Sequence, residues 1–124
     1  MIIMEKDKFL EEYQKFCQWS ALPPGEIIDK EKEIMGWGLG VAGEAGDIAG
    51  CIKKTVGHKN DQTAGIKENL GDTLWYIAMI CNFYGWDLQE VIEENMEKIK
   101  KRYPAGFDYK TAQRGGTRVD WNEK

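Results

Sequence analysis

Apolar residues recur along this chain at the three-to-four spacing of amphipathic helices, and nowhere do they alternate as a half-buried strand requires. The pattern predicts four helices. The first runs from about Lys6 to Ser20 and stops before Pro23 and Pro24, which cannot continue it. The second spans Lys30 to about Val56, ending at Gly57, and the polar loop "GHKNDQT" leads to a third from about Ala64 to Tyr84, stopped by Gly85. Asp87 caps the fourth, with Glu90 three residues on in a capping-box arrangement, and this helix continues to Arg102 before Pro104. The end of the chain, "AGFDYKTAQRGGTRVDWNEK", is polar and is expected to be an extended or partly mobile tail. The fold class is therefore all-α: one four-helix bundle-like domain over residues 1–108, with a polar tail over 109–124.

The second helix is unusual. Its segment "GWGLGVAGEAGDIAG" holds six glycines and two carboxylates, although each interior glycine costs a helix about 1 kcal/mol relative to alanine. Val41, Ala45, Ile48 and Ile52 form an apolar stripe there, with Glu44 and Asp47 three residues apart on its edge. Gly40, Gly43 and Gly50 flank the Glu44 face, so the helix is expected to be pared down where something approaches its backbone. In "KENLGDTLWYIAMI" the third helix repeats the theme. Asp72 shares a face with Tyr76, Met79 and Phe83, with Glu68 one turn before it and Asn69 alongside. Beyond Asp72 this helix is apolar almost all round, which predicts a central position and a buried neighbourhood for Asp72.

Two helices that place acidic and amide oxygens inward can hold a hard divalent cation, Mg²⁺ or Mn²⁺. The competing expectation is that these acids pair with lysines at a helix end. On the fourth helix Val91, Asn95, Lys98 and Arg102 form a line beside the apolar Leu88, Ile92 and Ile99. Lys98 and Arg102 either complement the helix dipole or, together with Asn95, clamp a phosphate. Trp37 and Trp75 either stack on a nucleobase or pack in the core.

Composition restricts the function classes further. With 42% hydrophobic and 31% charged residues the chain is an ordinary globular protein, and neither a membrane-spanning run nor a leader is visible. A soluble, intracellular protein is expected. The net charge of −4 argues against binding polymeric nucleic acid, which needs a basic surface. Cys17, Cys51 and Cys81 lie far apart among apolar neighbours and read as buried thiols, and the single His58 has no partner for a zinc site. The apolar faces of four short helices call for a homodimer or homotetramer.

The runs "GLGVAGEAGDIAGCIKK", "KENLGDTLWYIA" and "NMEKIKKRYPAGF", in that order and after the opening "LEEYQKF", resemble the MazG-type all-α nucleotide pyrophosphohydrolases from about Phe9 to Phe107. That resemblance implies a cytoplasmic, Mg²⁺-dependent enzyme that splits a nucleoside triphosphate between its α and β phosphates, giving a monophosphate and pyrophosphate. It implies metal ligation by Glu44 and Asp47 from one helix and by Asn69 and Asp72 from the next. Asn69 stands where the family usually has Glu, so a nucleotide-binding bundle with weak or lost catalysis is the alternative. The resemblance further places Lys54, Asn95, Lys98 and Arg102 near the phosphates; Tyr76 lies one turn beyond Asp72 on the metal face, Trp37 is the aromatic candidate beside the substrate, and Glu44 and Glu68 are candidates for the base that takes the water's proton.

Overall fold

The structure, a computed structural model, describes residues 8–21, 26 and 29–113. All regular structure among them is helical: α1 (Lys8–Ala21), α2 (Lys30–Gly57), α3 (Thr63–Tyr84), α4 (Leu88–Arg102) and α5 (Tyr109–Gln113). Local chemistry sets the ends. Asp29 caps α2 by accepting from Lys32 N at 3.0 Å. Asp61 accepts from Thr63 N at 3.0 Å, where α3 begins. Gly85 closes α3 at φ 71°, a left-handed conformation that disfavours any residue with a Cβ. Asp87 caps α4 through Gln89 N at 3.0 Å.

The expectation for the tail needs correction. Residues 109–113 are helical rather than extended, because Asp108 accepts from Thr111 N at 3.1 Å and caps a short turn. Hydrogen bonds from the Thr111 hydroxyl and amide also hold the Asp108 carboxyl below the usual carboxylate range. The remainder of the tail, and Lys6 at the expected start of α1, lie outside the described residues.

Helices α2 and α3 form the main packed pair, α1 lies against α3, and α4 packs on α1 with no comparable packing on α2 or α3. The core sits where α1 crosses α3: Cys17, Ala78 and Met79 are buried, and Tyr13, Ala21, Trp37 and Trp75 pack around them. One side chain fastens α1 to the α3–α4 turn. Gln14 Nε2 donates to Asn82 Oδ1 and to the Trp86 carbonyl, both at 3.0 Å, while its Oε1 accepts from Leu88 N at 2.8 Å. The start of α2 is tied to α3 through Lys30, whose ammonium lies 5.6 Å from the centroid of the Phe83 ring and pairs with Glu33.

The apolar stripes are only partly covered. On α2, Val41 and Ile48 are half-buried, whereas Ala45 and Ile52 are exposed, contrary to a wholly inward stripe. On α4, Leu88 is buried but Ile92 and Ile99 are exposed. Two thiols, Cys17 and Cys81, are buried as expected, and Cys51 is half-buried between α2 and α3. None of the described helices is long and apolar enough to cross a membrane.

Candidate functional site

The close packing of α2 on α3 begins with a contact that only glycine allows. A Cβ on Gly40 would fall 2.2 Å from Tyr76 Cε1, so the Tyr76 ring lies on the bare α2 backbone. Gly43 and Gly50, by contrast, face open space within the chain. The approaching group expected at the glycines is thus an aromatic ring, and at Gly40 alone of those three. Tyr76 is held by its neighbours: Trp75 meets it edge-on at 5.2 Å and Trp37 tilts against it at 6.2 Å. Trp37 Nε1 donates to Glu33 and Trp75 Nε1 to Ser20 Oγ, each at 3.0 Å. Both indoles are therefore half-buried packing groups of the core, with their N–H groups already engaged.

One turn along from this aromatic cluster the acids gather. Glu44 is half-buried and Asp47 exposed on α2, and Glu68 and Asp72 are exposed on α3. Asp72 does not have the buried neighbourhood expected of it. Along the row Glu68, Asp72, Tyr76 only Tyr76 turns in against α2, and the two acids stay exposed beside it. Residues four apart differ by only about 40° around a helix, so Glu68 and Asp72 share this row. Partial burial, followed by the nearby charges of Asp72, Asp47 and Glu68, pushes the Glu44 carboxyl above its ordinary value. Glu44 thus feels Asp47 on its own helix and Glu68 and Asp72 across the α2–α3 seam. Among the described residues no lysine or arginine forms an ion pair with any of them, so pairing with lysines at a helix end is not what the fold provides. Lys54, in the last turn of α2, is exposed and gives its carbonyl to His58 N and Asn60 N.

Asn69 points elsewhere. It is half-buried between the helices, and its Nδ2 donates to Cys51 Sγ at 3.7 Å, leaving Oδ1 as its available donor atom for a cation. Among the described residues no three His, Cys, Asp or Glu side chains converge closely enough to hold a metal ion. The donor chemistry nevertheless fits a hard divalent cation: unpaired, mutually repelling carboxylates from two helices, with one amide oxygen beside them.

Asn95 is exposed and Lys98 and Arg102 are half-buried on α4, away from the α2–α3 seam. The chain therefore brings Glu44, Asp47, Glu68 and Asp72 together, with Tyr76 behind them, and does not bring Asn95, Lys98 or Arg102 to the same place. A recess of about 490 Å³ lies between α1 and the α3–α4 turn, lined by Gln14, Asn82 and Trp86 among others, and not by the acids.

Tyr13 carries no signal in the sequence pattern. Burial, then a hydrogen bond with Cys17, then the charges of Cys17 and Asp72 push its hydroxyl up to about 12. Only the fold shows this, because Tyr13 on α1 is buried against α3 and feels the charge of Asp72 there. The folded value lies above the unfolded one, so its contribution to stability is complete below about pH 10 and is lost as pH rises from about 10 to about 12. Urea midpoints measured across that window should fall more steeply for the wild type than for Tyr13→Phe.

A family profile, the MazG nucleotide pyrophosphohydrolase domain, matches residues 37–107, from the second turn of α2 beyond the end of α4. The Gene 37 protein of Mycobacterium phage L5 is 32% identical over 100 residues, which covers 76% of this chain and 88% of that relative. No solved structure matches the chain. The profile spans every acid of the seam as well as Asn95, Lys98 and Arg102, and the all-helical fold agrees with it: the chain belongs to the MazG nucleotide pyrophosphohydrolase family.

Proposed function

We propose that the chain is a Mg²⁺-dependent nucleoside triphosphate pyrophosphohydrolase, with residues 1–108 as its working domain. The observation that carries this reading is the seam of four unpaired carboxylates, Glu44, Asp47, Glu68 and Asp72, in which partial burial, and after it the charges of the other three, raises the Glu44 pKa. Such an arrangement costs stability, and a bound cation relieves the cost. Glu44, Asp47 and Asp72 would hold Mg²⁺, or Mn²⁺, with Asn69 Oδ1 completing the set. The ion would supply neutralisation of the triphosphate charge and activation of a water. The chain's own steps are to orient the α-phosphorus and to take the water's proton. The water oxygen bonds to the α-phosphorus as the bridging bond to the β-phosphate breaks, the proton passes to Glu44 or Glu68, and pyrophosphate leaves. Lys54 is assigned to the phosphates and Tyr76 and Trp37 to the wall of the site, while Asn95, Lys98 and Arg102, on α4 away from the seam, would reach the phosphates from a second copy of the chain. Release of pyrophosphate from a panel of nucleoside triphosphates with Mg²⁺ tests the proposal, and a chain that binds none of them and releases nothing sinks it.

A second reading is favoured by the Asn69–Cys51 contact: a bundle that binds nucleotide without turnover. Asn69→Glu separates the two. In an enzyme the added charge should lower the Mg²⁺ concentration at half-maximal activity severalfold. In a bundle without a metal site it should only add a fifth acid to the seam and lower the melting temperature. Titrations of Mg²⁺ into both proteins distinguish these outcomes.

A further inference from the structure

An amide at a cation site faces a choice that a carboxylate does not. A carboxylate offers oxygen whichever way it turns, whereas the Asn69 side chain offers Oδ1 on one side and, on the other, an N–H donor that repels a cation. A half-turn about its last torsion exchanges the two at little intrinsic cost. A neighbour must therefore select the oxygen. The thiol opposite it on α2 is placed to do so. Cys51 follows Glu44 and Asp47 at i, i+3, i+7 along one side of α2, and its Sγ accepts from Asn69 Nδ2 at 3.7 Å. Room for the sulfur comes from Gly65, one turn before Asn69 on α3: a Cβ there would stand 3.1 Å from Sγ, tighter than ordinary van der Waals contact. The register of the pair is pinned where the two helices connect. Thr55 Oγ1 donates to the Cys51 carbonyl and accepts from Gln62 N, both at 2.8 Å, which ties the last turns of α2 to the start of α3. Cys51, Gly65 and Asn69 are half-buried together in the seam.

We infer that Cys51 is a positioning residue for the cation site: by taking the amide N–H of Asn69 it fixes Oδ1 as the atom offered to the metal. This rests on the metal-dependent reading, and it assigns the Asn69–Cys51 contact to that reading rather than to a loss of turnover. Cys51 itself touches neither ion nor substrate. A thiol is a weak acceptor, but it has only to outweigh the free flip of one amide. A carboxylate at position 69 would have no need of it, since both of its terminal atoms are oxygens. The dependence on Cys51 is therefore a property of Asn69 and should vanish with it.

Mn²⁺ binding to the full chain without nucleotide tests this, read from the electron paramagnetic resonance of the free ion at a temperature where each variant keeps the wild-type helical circular dichroism. Cys51→Ala should weaken Mn²⁺ binding by about tenfold, the low end for loss of a group that orients a metal ligand. Cys51→Ser, which keeps an acceptor at the same place, should restore most of that affinity. Asn69→Asp supplies oxygen in either orientation, so adding Cys51→Ala to it should leave its affinity unchanged. A merely structural role for the thiol would instead weaken binding alike in both backgrounds. Equal loss in both backgrounds, no loss from Cys51→Ala alone, or a Cys51→Ser protein that binds as weakly as Cys51→Ala overturns the inference and leaves the metal-dependent reading standing. A wild type that binds no Mn²⁺ overturns both.

Discussion

Asp72→Asn should abolish Mg²⁺-dependent turnover while raising the melting temperature of the metal-free protein. The two effects share one cause. Asp72 is the largest of the charges acting on Glu44, after partial burial, and it also contributes to the raised value at Tyr13. Replacing the carboxylate by an amide of the same shape removes that repulsion, so both groups should move back toward their ordinary values. The sign of the stability change follows from linkage. Glu44 holds its proton more tightly folded than unfolded, so the folded state is favoured at low pH and loses that advantage as pH rises through the unfolded value and then the raised one. At neutral pH the wild type carries the full penalty and Asp72→Asn carries less, while in acid, with the carboxyls protonated, the two should melt alike. Added Mg²⁺ should reverse the order by stabilising the wild type and leaving the variant unmoved. An Asp72→Asn protein that keeps wild-type turnover, or that gains the same stabilisation from Mg²⁺, would remove Asp72 from the site.

How far the sequence foretold this site depended on whether the deciding signal was local. The end of α3 and both ends of α4 were legible because Gly85, Asp87 and Pro104 act within a turn of where they stand. The short α5 turn used the same kind of signal, Asp108 three residues before Thr111, and was obscured by the polar composition around it. Periodicity showed that Glu44 and Asp47, and Asp72 and Tyr76, share helix faces. It could not show which faces α1 and α2 would occupy, so Asp72 was expected among buried neighbours and instead faces water. Asn69 illustrates the same limit: its partner Cys51 lies on another helix, and no spacing within α3 points to it. Arg102 and Asn95 lie on a helix that turns away from the acids, a property of the α3–α4 turn and its Gln14 tether rather than of α4 itself.

Gly40→Ala should destabilise the protein by about 2 kcal/mol, against the ordinary gain from replacing a helical glycine. The added Cβ would come within 2.2 to 2.6 Å of three Tyr76 ring atoms, closer than packed atoms approach. A flexible side chain would swing aside. Tyr76 is held against this by Trp75 edge-on at 5.2 Å and by Trp37, which is itself fixed to Glu33. The strain must then pass to the α2–α3 spacing, and through it to the seam where Glu44 faces Asp72. Two comparisons isolate the cause. Gly36→Ala, at a position with open space around its Cβ, should instead stabilise by about 0.5–1 kcal/mol. Tyr76→Leu should absorb most of the penalty of Gly40→Ala, giving a coupling of about 1 kcal/mol or more in a double-mutant cycle. If Gly40→Ala melts as high as Gly36→Ala, the Tyr76 ring does not rest on the α2 backbone, and the glycines of this helix need another explanation.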